Sequence, residues 1–167
     1  MQRGVKRPLI VIYGSYGIGI RGNCRDELEN IVNVGKADMR LAWFEKSTVK
    51  NLDFHIPPPS EDSPDYKDWV MEKSNHYLQT ADFNAIFILQ GCDNSTPLQE
   101  AQFVLEHGLE SKSIIFFEMS EDDGENSACS LYTQATWRNK YENVPIEYIE
   151  YKDFKSAWRK IMGKFLG

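Results

Sequence analysis

Short apolar, β-branched runs alternate along this chain with longer amphipathic stretches, and that alternation limits the fold more than any other feature. Residues 8–13 are such a run, ended by Gly14, with the near-continuous apolar character of a strand buried on both faces. Residues 39–44, 83–89, 113–117 and 146–151 repeat the pattern, and 83–89 is its clearest example. Helical patterns separate them. Asn23 can cap a helix that turns Leu28, Ile31 and Val32 to one side and stops at Gly35. Residues 65–80 place Trp69, Val70, Tyr77 and Leu78 inward, and 97–107 follow Ser95-Thr96-Pro97 and close at Gly108. Residues 127–140 and 153–165 are the last two helices, with Tyr132, Trp137 and Tyr141 read as core at helical spacing. Strands joined by helices of this length pair in parallel, because a parallel connection must cross the sheet. The expected architecture is α/β: a three-layer doubly wound parallel sheet of about five strands, in one domain spanning residues 1–167. Residues 46–65 contain Pro57-Pro58-Pro59 and are too short for a domain but longer than most loops. They are either disordered or a lid, with Phe54 and His55 available to pack over a ligand.

Composition then removes several function classes. A chain that is 41% apolar and 26% charged is that of a globular protein. Its net charge of −6 argues against a partner with a phosphate backbone, so no nucleic acid is expected. The basic residues between 152 and 164 alternate with Phe154, Trp158, Ile161 and Phe165, as on the solvated face of a final helix. No apolar run reaches the roughly 18–20 residues needed to span a bilayer, and the run at 9–13 is too short for a signal peptide. No membrane partner is expected. Cys24, Cys92 and Cys129 are odd in number and lack repeated spacing, which predicts neither a disulfide framework nor a zinc site and suggests a reducing, cytoplasmic setting. His55, His76 and His107 are isolated, so no metal site is expected either.

In an open parallel sheet, ligands bind outside the carboxyl ends of the strands. Three loops reach that edge. The first is Gly14-Ser15-Tyr16-Gly17-Ile18-Gly19-Ile20-Arg21-Gly22, whose glycines let backbone approach a ligand and free amides for an anion. Gly17 to Gly22 formally match G-x-G-x-x-G, and Glu45 stands where a ribose-binding acid would, which suggests an NAD(P)-dependent reductase. The fingerprint, however, needs its first glycine directly after the strand and a helix opening at once, whereas here the loop can simply turn the chain. No Gly-Lys-Ser/Thr follows, which excludes a P-loop.

The second loop, Gln90-Gly91-Cys92-Asp93-Asn94-Ser95-Thr96, leads into a helix that carries Glu100. Glu100 has two readings. In one it sits in the first helical turn, capped by Ser95 or Thr96, and favours the positive end of the dipole. In the other it projects into the edge crevice, where a carboxylate can attack or stabilise a sugar's anomeric carbon. Cys92 lacks a sequence-local base and is read as a packed or idle thiol. The third loop holds Glu118, Glu121, Asp122 and Asp123, but no aspartate ends the third strand as metal-dependent phosphoryl chemistry of the receiver type requires.

The segment Ala81-Asp82-Phe83 to Gln90-Gly91, followed by Asp93-Asn94-Ser95-Thr96-Pro97-Leu98-Gln99-Glu100-Ala101, resembles the core of the nucleoside 2-deoxyribosyltransferase-like superfamily. Those proteins enter the third strand through an Ala/Ser-Asp pair and carry a glutamate on the next helix. Their first strand ends in a Tyr/Ala-Gly turn, matched by Tyr13-Gly14. The resemblance implies a flavodoxin-like sheet and cleavage or transfer at the N-glycosidic bond of a nucleoside or nucleotide, NAD included. It assigns catalysis to Glu100 with Asp93, and substrate binding to Tyr13, Gly14, Ser15, Tyr16, Gly17, Asn94, Ser95 and Thr96. It implies no cofactor, a small-molecule partner and a homo-oligomer. Ser74 stands where the family carries an aspartate, and Asn94 where it carries a second one, which points from a true transferase toward a hydrolase. A nucleotide-sensing module without catalysis is the alternative on the same fold.

Overall fold

In the computed structural model, residues 9–15, 18–19, 22–35, 40–42, 56–57, 59–60, 62–119 and 145–166 are described. In chain order they form β1 (Leu9–Tyr13), β2 (Ile18–Gly19), β3 (Gly22–Asn23), α1 (Cys24–Gly35), β4 (Arg40–Ala42) and α2 (Tyr66–Thr80). There follow β5 (Phe83–Ile88), α3 (Ser95–Glu106), a 3₁₀ turn at Glu110–Lys112, β6 (Ser113–Glu118), β7 (Ile146–Ile149) and α4 (Phe154–Leu166). Expectations that fall on Tyr16, Gly17, Glu45, Phe54, His55, Glu121, Asp122, Asp123, Cys129, Tyr132, Trp137, Tyr141 and the 127–140 helix lie outside the described residues.

The alternation seen in the sequence becomes a parallel sheet in the order β4-β1-β5-β6-β7. Register sets Tyr13 beside Ile86, Ile86 beside Ile115, and Phe117 beside Tyr148. Because side chains alternate across a strand, the sheet feeds two separate cores. Ile10, Ile12, Ala85, Phe87 and Phe116 pack with Leu28 and Ile31 of α1 and Ala157, Trp158 and Ile161 of α4. Val11, Tyr13, Ile86, Ile88 and Phe117 pack with Tyr77 and Leu78 of α2 and Ala101 and Val104 of α3. Every residue of β5 and β6 is buried, which is why these strands read as near-continuous apolar runs, interrupted only by Asn84 in β5 and bounded by Ser113 and Glu118 in β6. Among the described residues, no helix is long and apolar enough to cross a membrane.

Four features depart from the expectations. The glycine loop contains a small antiparallel ladder of β2 with β3, and Gly22 at φ +107° needs glycine because a Cβ is strained there. Asn23 closes this ladder and, as expected, stands at the position that caps α1. In α2 the fully buried stripe is Ser74, Tyr77 and Leu78, while Trp69 and Val70 are half-buried. Trp69 instead donates its indole N–H to the Ile56 carbonyl at 2.9 Å, so part of the 46–65 stretch is tied to α2. α3 starts two residues early, at Ser95; Pro97 then lies in the first turn, where its missing N–H costs no helical bond.

The fourth departure is a correction. Cys24 and Cys92 form a disulfide, with their Cα atoms 6.1 Å apart, so Cys92 is not an idle thiol. Cys24 opens α1 after the β1 loop and Cys92 follows β5, and β1 and β5 are neighbours. Strand order brings together residues 68 positions apart, a closeness that cysteine spacing cannot reveal. The cysteine count thus no longer supports a reducing compartment.

Candidate functional site

The buried stripe of α3 is Pro97, Glu100, Ala101 and Val104, a 3.6-residue periodicity that puts a carboxyl group at a core position. Glu100 is 0% exposed, and neither of its carboxyl oxygens has a hydrogen-bond partner among the described residues. With the helix beginning at Ser95, Glu100 lies in the second turn and the first turn holds no acidic residue. It therefore neither completes a capping box nor rests on the dipole, and the first of its two readings fails.

Burial pushes the Glu100 carboxyl up to about 8, with the Ser74 hydroxyl drawing it back the other way. Ser74 is itself buried, and its Oγ also lacks a partner of hydrogen-bond geometry among the described residues, so the two groups adjoin without pairing. At neutral pH Glu100 is a protonated acid in a nearly dry setting. Tyr13, the last residue of β1, shares this environment. Burial first, then the Glu100 charge and Tyr77, hold the Tyr13 phenol well above its ordinary range. The phenol donates to Asn84 Oδ1 at 2.7 Å, and the Asn84 amide donates to the Leu78 carbonyl at 2.8 Å and to Ser113 Oγ at 3.4 Å. Glu100, Ser74, Tyr13, Asn84 and Ser113 thus make a polar seam inside the core between the sheet and helices α2 and α3.

The rest of the β5–α3 loop has other tasks. Asn94 is 5% exposed and uses its side chain to hold the loop: Nδ2 donates to the Leu89 and Cys92 carbonyls, and Oδ1 accepts the Leu89 N–H. Asp93 is exposed and accepts the Ser95 N–H at 3.0 Å. That amide, then the Ser95 hydroxyl, hold the Asp93 carboxyl below its ordinary value. Ser95 is exposed and Thr96 half-buried. The structure therefore brings Tyr13 to Glu100, leaves Asp93 and Ser95 on the solvent side, and commits the Asn94 amide to the loop.

On the first loop, Ser15 is 4% exposed, and a Cβ at Gly14 would come within 2.6 Å of Leu28 Cδ2. Gly14 lets the chain pack closely on the Leu28 side chain of α1, which would have to shift to admit a Cβ. The helix opens at Cys24, after β3, so the glycines do not lead straight into a helix N-terminus as the dinucleotide fingerprint requires.

Two further groups lie at this edge. Glu118 is fully buried at the end of β6; its Oε1 accepts the Gln90 N–H at 3.0 Å and its Oε2 the Lys152 N–H at 2.9 Å. Lys152 also reaches Glu27 of α1 at 3.3 Å. Ser74 carried a usable signal, because it shares the helical stripe of Tyr77 and Leu78. Glu118 carried none, since one acidic residue after an apolar run reads as the start of a loop. Scanned against protein-family models, the chain matches none, and no curated protein is significantly similar to it.

Proposed function

We propose that this chain cleaves or transfers an N-glycosidic bond of a nucleoside or nucleotide, with Glu100 as the reacting carboxyl group. One observation carries the reading: a completely buried glutamate with both oxygens unpartnered among the described residues, beside Tyr13 at the end of β1. An unsatisfied buried polar group costs about 1–3 kcal/mol, so a carboxyl kept in this state for packing alone is disfavoured against any apolar residue. Groups whose proton affinity is shifted this far by burial concentrate where chemistry is done. The strand order β4-β1-β5-β6-β7, which is 2-1-3-4-5 when only the strands of this sheet are numbered, supports a flavodoxin-like, doubly wound arrangement with its switch point between β1 and β5. Glu100 lies on the helix that follows β5, and Tyr13 ends β1. The same reading takes a homo-oligomer from the resemblance.

The test is chromatography for free base after incubation with nucleosides, nucleotides and NAD. Wild type releases base, and Glu100→Gln loses turnover by about 10³-fold or more while ligand-induced thermal shifts persist. Undiminished release by that variant removes Glu100 from the chemistry. The pH profile assigns the role. Attack by a carboxylate gives kcat/KM that rises as pH passes through about 8, and protonation of the leaving base gives one that falls.

A second reading, a nucleotide sensor without turnover, is favoured by the 0% exposure of Glu100 and by the Asn94 amide being spent within its loop. It predicts ligand-induced thermal shifts with no base released by wild type.

A further inference from the structure

We propose that Cys24–Cys92 is a reversible thiol–disulfide exchange site, attacked at Cys92, that straps the β5–α3 loop to the start of α1. The proposal stands independently of the glycosidic reading.

The bond has an open side and a closed side. Cys24 is 0% exposed, whereas Cys92 is half-buried on a loop. An incoming thiolate therefore meets Cys92 Sγ, and Cys24 is the leaving group. Cys24 is also the first residue of the 12-residue α1, and a helix N-terminus stabilises a thiolate. Asp26 and Glu27 in the same turn oppose this, and Glu27 is partly balanced by Lys152 at 3.3 Å.

Both ends hold their places without the bond. On the loop side, Asn94 makes three side-chain hydrogen bonds to Leu89 and Cys92. Gln90 is tied twice to Glu118, by its backbone N–H to Oε1 and by its side-chain Nε2 to the carbonyl. On the helix side, Leu28 and Ile31 anchor α1 in the core. Reduction thus leaves two thiols facing each other across a preserved gap, ready to close again.

The exchange balances with a small thiol such as glutathione. One thiolate attacks Cys92 Sγ, forms a mixed disulfide and expels Cys24 as a thiolate, which takes up a proton. A second thiolate attacks the glutathione sulfur of the mixed disulfide and releases Cys92 as a thiolate, which is likewise protonated. Two small thiols are oxidised to one disulfide, and the protein disulfide is reduced to two thiols by the same two electrons.

The experiment titrates the full-length protein with reduced and oxidised glutathione, quenches exchange with acid, alkylates the free thiols after denaturation so that buried Cys24 is read as well, and maps the adducts by peptide mass spectrometry. Expected is one cooperative transition, with Cys24 and Cys92 losing alkylation together as the buffer becomes oxidising, and with circular dichroism unchanged across it. In Cys24→Ser, oxidised glutathione adds to Cys92; in Cys92→Ser, Cys24 stays unmodified while the protein remains folded. Three results overturn the proposal: a bond that never forms, a bond that breaks only as the circular dichroism is lost, or an adduct that favours Cys24. The wild-type titration decides the matter even if a serine variant fails to fold.

Discussion

Glu100 and Glu118 are both completely buried carboxyl groups, and the structure treats them in opposite ways. Glu118 lies at the end of β6, with one oxygen on the Gln90 N–H and the other on the Lys152 N–H. It joins the turns that follow β5 and β7, and the Lys152 turn adopts φ 60°, a backbone that a side chain disfavours by roughly 1–2 kcal/mol. Glu100, in the second turn of α3, faces Tyr13 and an unpaired Ser74 hydroxyl and receives no hydrogen bond among the described residues. Burial is common to the two and donors are not: backbone amides at a strand end supply them where a helix interior cannot, its N–H groups being bound within the helix.

The largest effect expected from this contrast is a pH dependence of stability. Glu100 is pushed by burial from 4.5 up to about 8 on folding. Between those values the folded chain holds a proton that the unfolded chain has released. Stability is full below pH 4.5, declines as pH rises, and levels off above 8, a loss of about 5 kcal/mol from this group. Denaturant titrations from pH 5 to 9, in wild type and Glu100→Gln, isolate the term. The variant is expected to lack that part of the slope and to be the more stable protein at pH 9. Parallel slopes in the two proteins would show that Glu100 takes up no proton on folding and is not held up by burial.

Glu118 gives the next largest effect, of the opposite kind. Glu118→Ala strands two backbone N–H groups at the sheet edge and removes two charge-assisted bonds, a cost of about 3–4 kcal/mol. Glu118→Gln keeps one acceptor oxygen and is expected to recover about half of that. Hydrogen exchange at the Gln90 and Lys152 amides reads the local effect directly, and both should exchange faster in the alanine variant. Protection unchanged at either amide would mean that this turn is held by something other than the carboxylate.

Local patterns foretold the frame but not the pairings across it. The strands at 9–13, 83–88 and 113–117 and the helices at 24–35 and 66–80 were legible because two-sided burial leaves near-continuous apolar runs and helices leave a 3.6-residue stripe. Glu100 was visible as a candidate, since an acid after a strand–loop–helix junction is noticeable. Its depth was not, because an acid on an otherwise apolar stripe reads equally well as a residue of the helix start, and only the packing of α3 against α2 and the sheet places it inside. The disulfide, the Tyr13–Asn84 bond and the Glu118 bracket all join residues of different elements, 28 to 71 positions apart. Strand order decides each of them, and no local window contains it. Asn94 misled for another reason: a polar residue at a strand end suits substrate binding and loop stitching equally well, and only the positions of the Leu89 and Cys92 backbone groups distinguish the two.

The smallest effect is the sharpest probe of how isolated Glu100 is. Tyr13→Phe removes the phenol that donates to Asn84 Oδ1 while preserving the ring's packing, at a cost of about 1–2 kcal/mol. The Asn84 amide keeps its bonds to Leu78 and Ser113, so the seam should slacken at one end without collapsing. Below pH 8 the phenol is neutral, and its hydroxyl is turned to Asn84 and not to Glu100. The upper end of the Glu100 stability slope should therefore stay near pH 8 in this variant, within a few tenths of a unit. A rise of one unit or more would show that the phenol had been stabilising the Glu100 carboxylate. In that case Tyr13 and Glu100 would act as one pair, and the separation between an unpaired Glu100 and a fully held Glu118 would be one of degree.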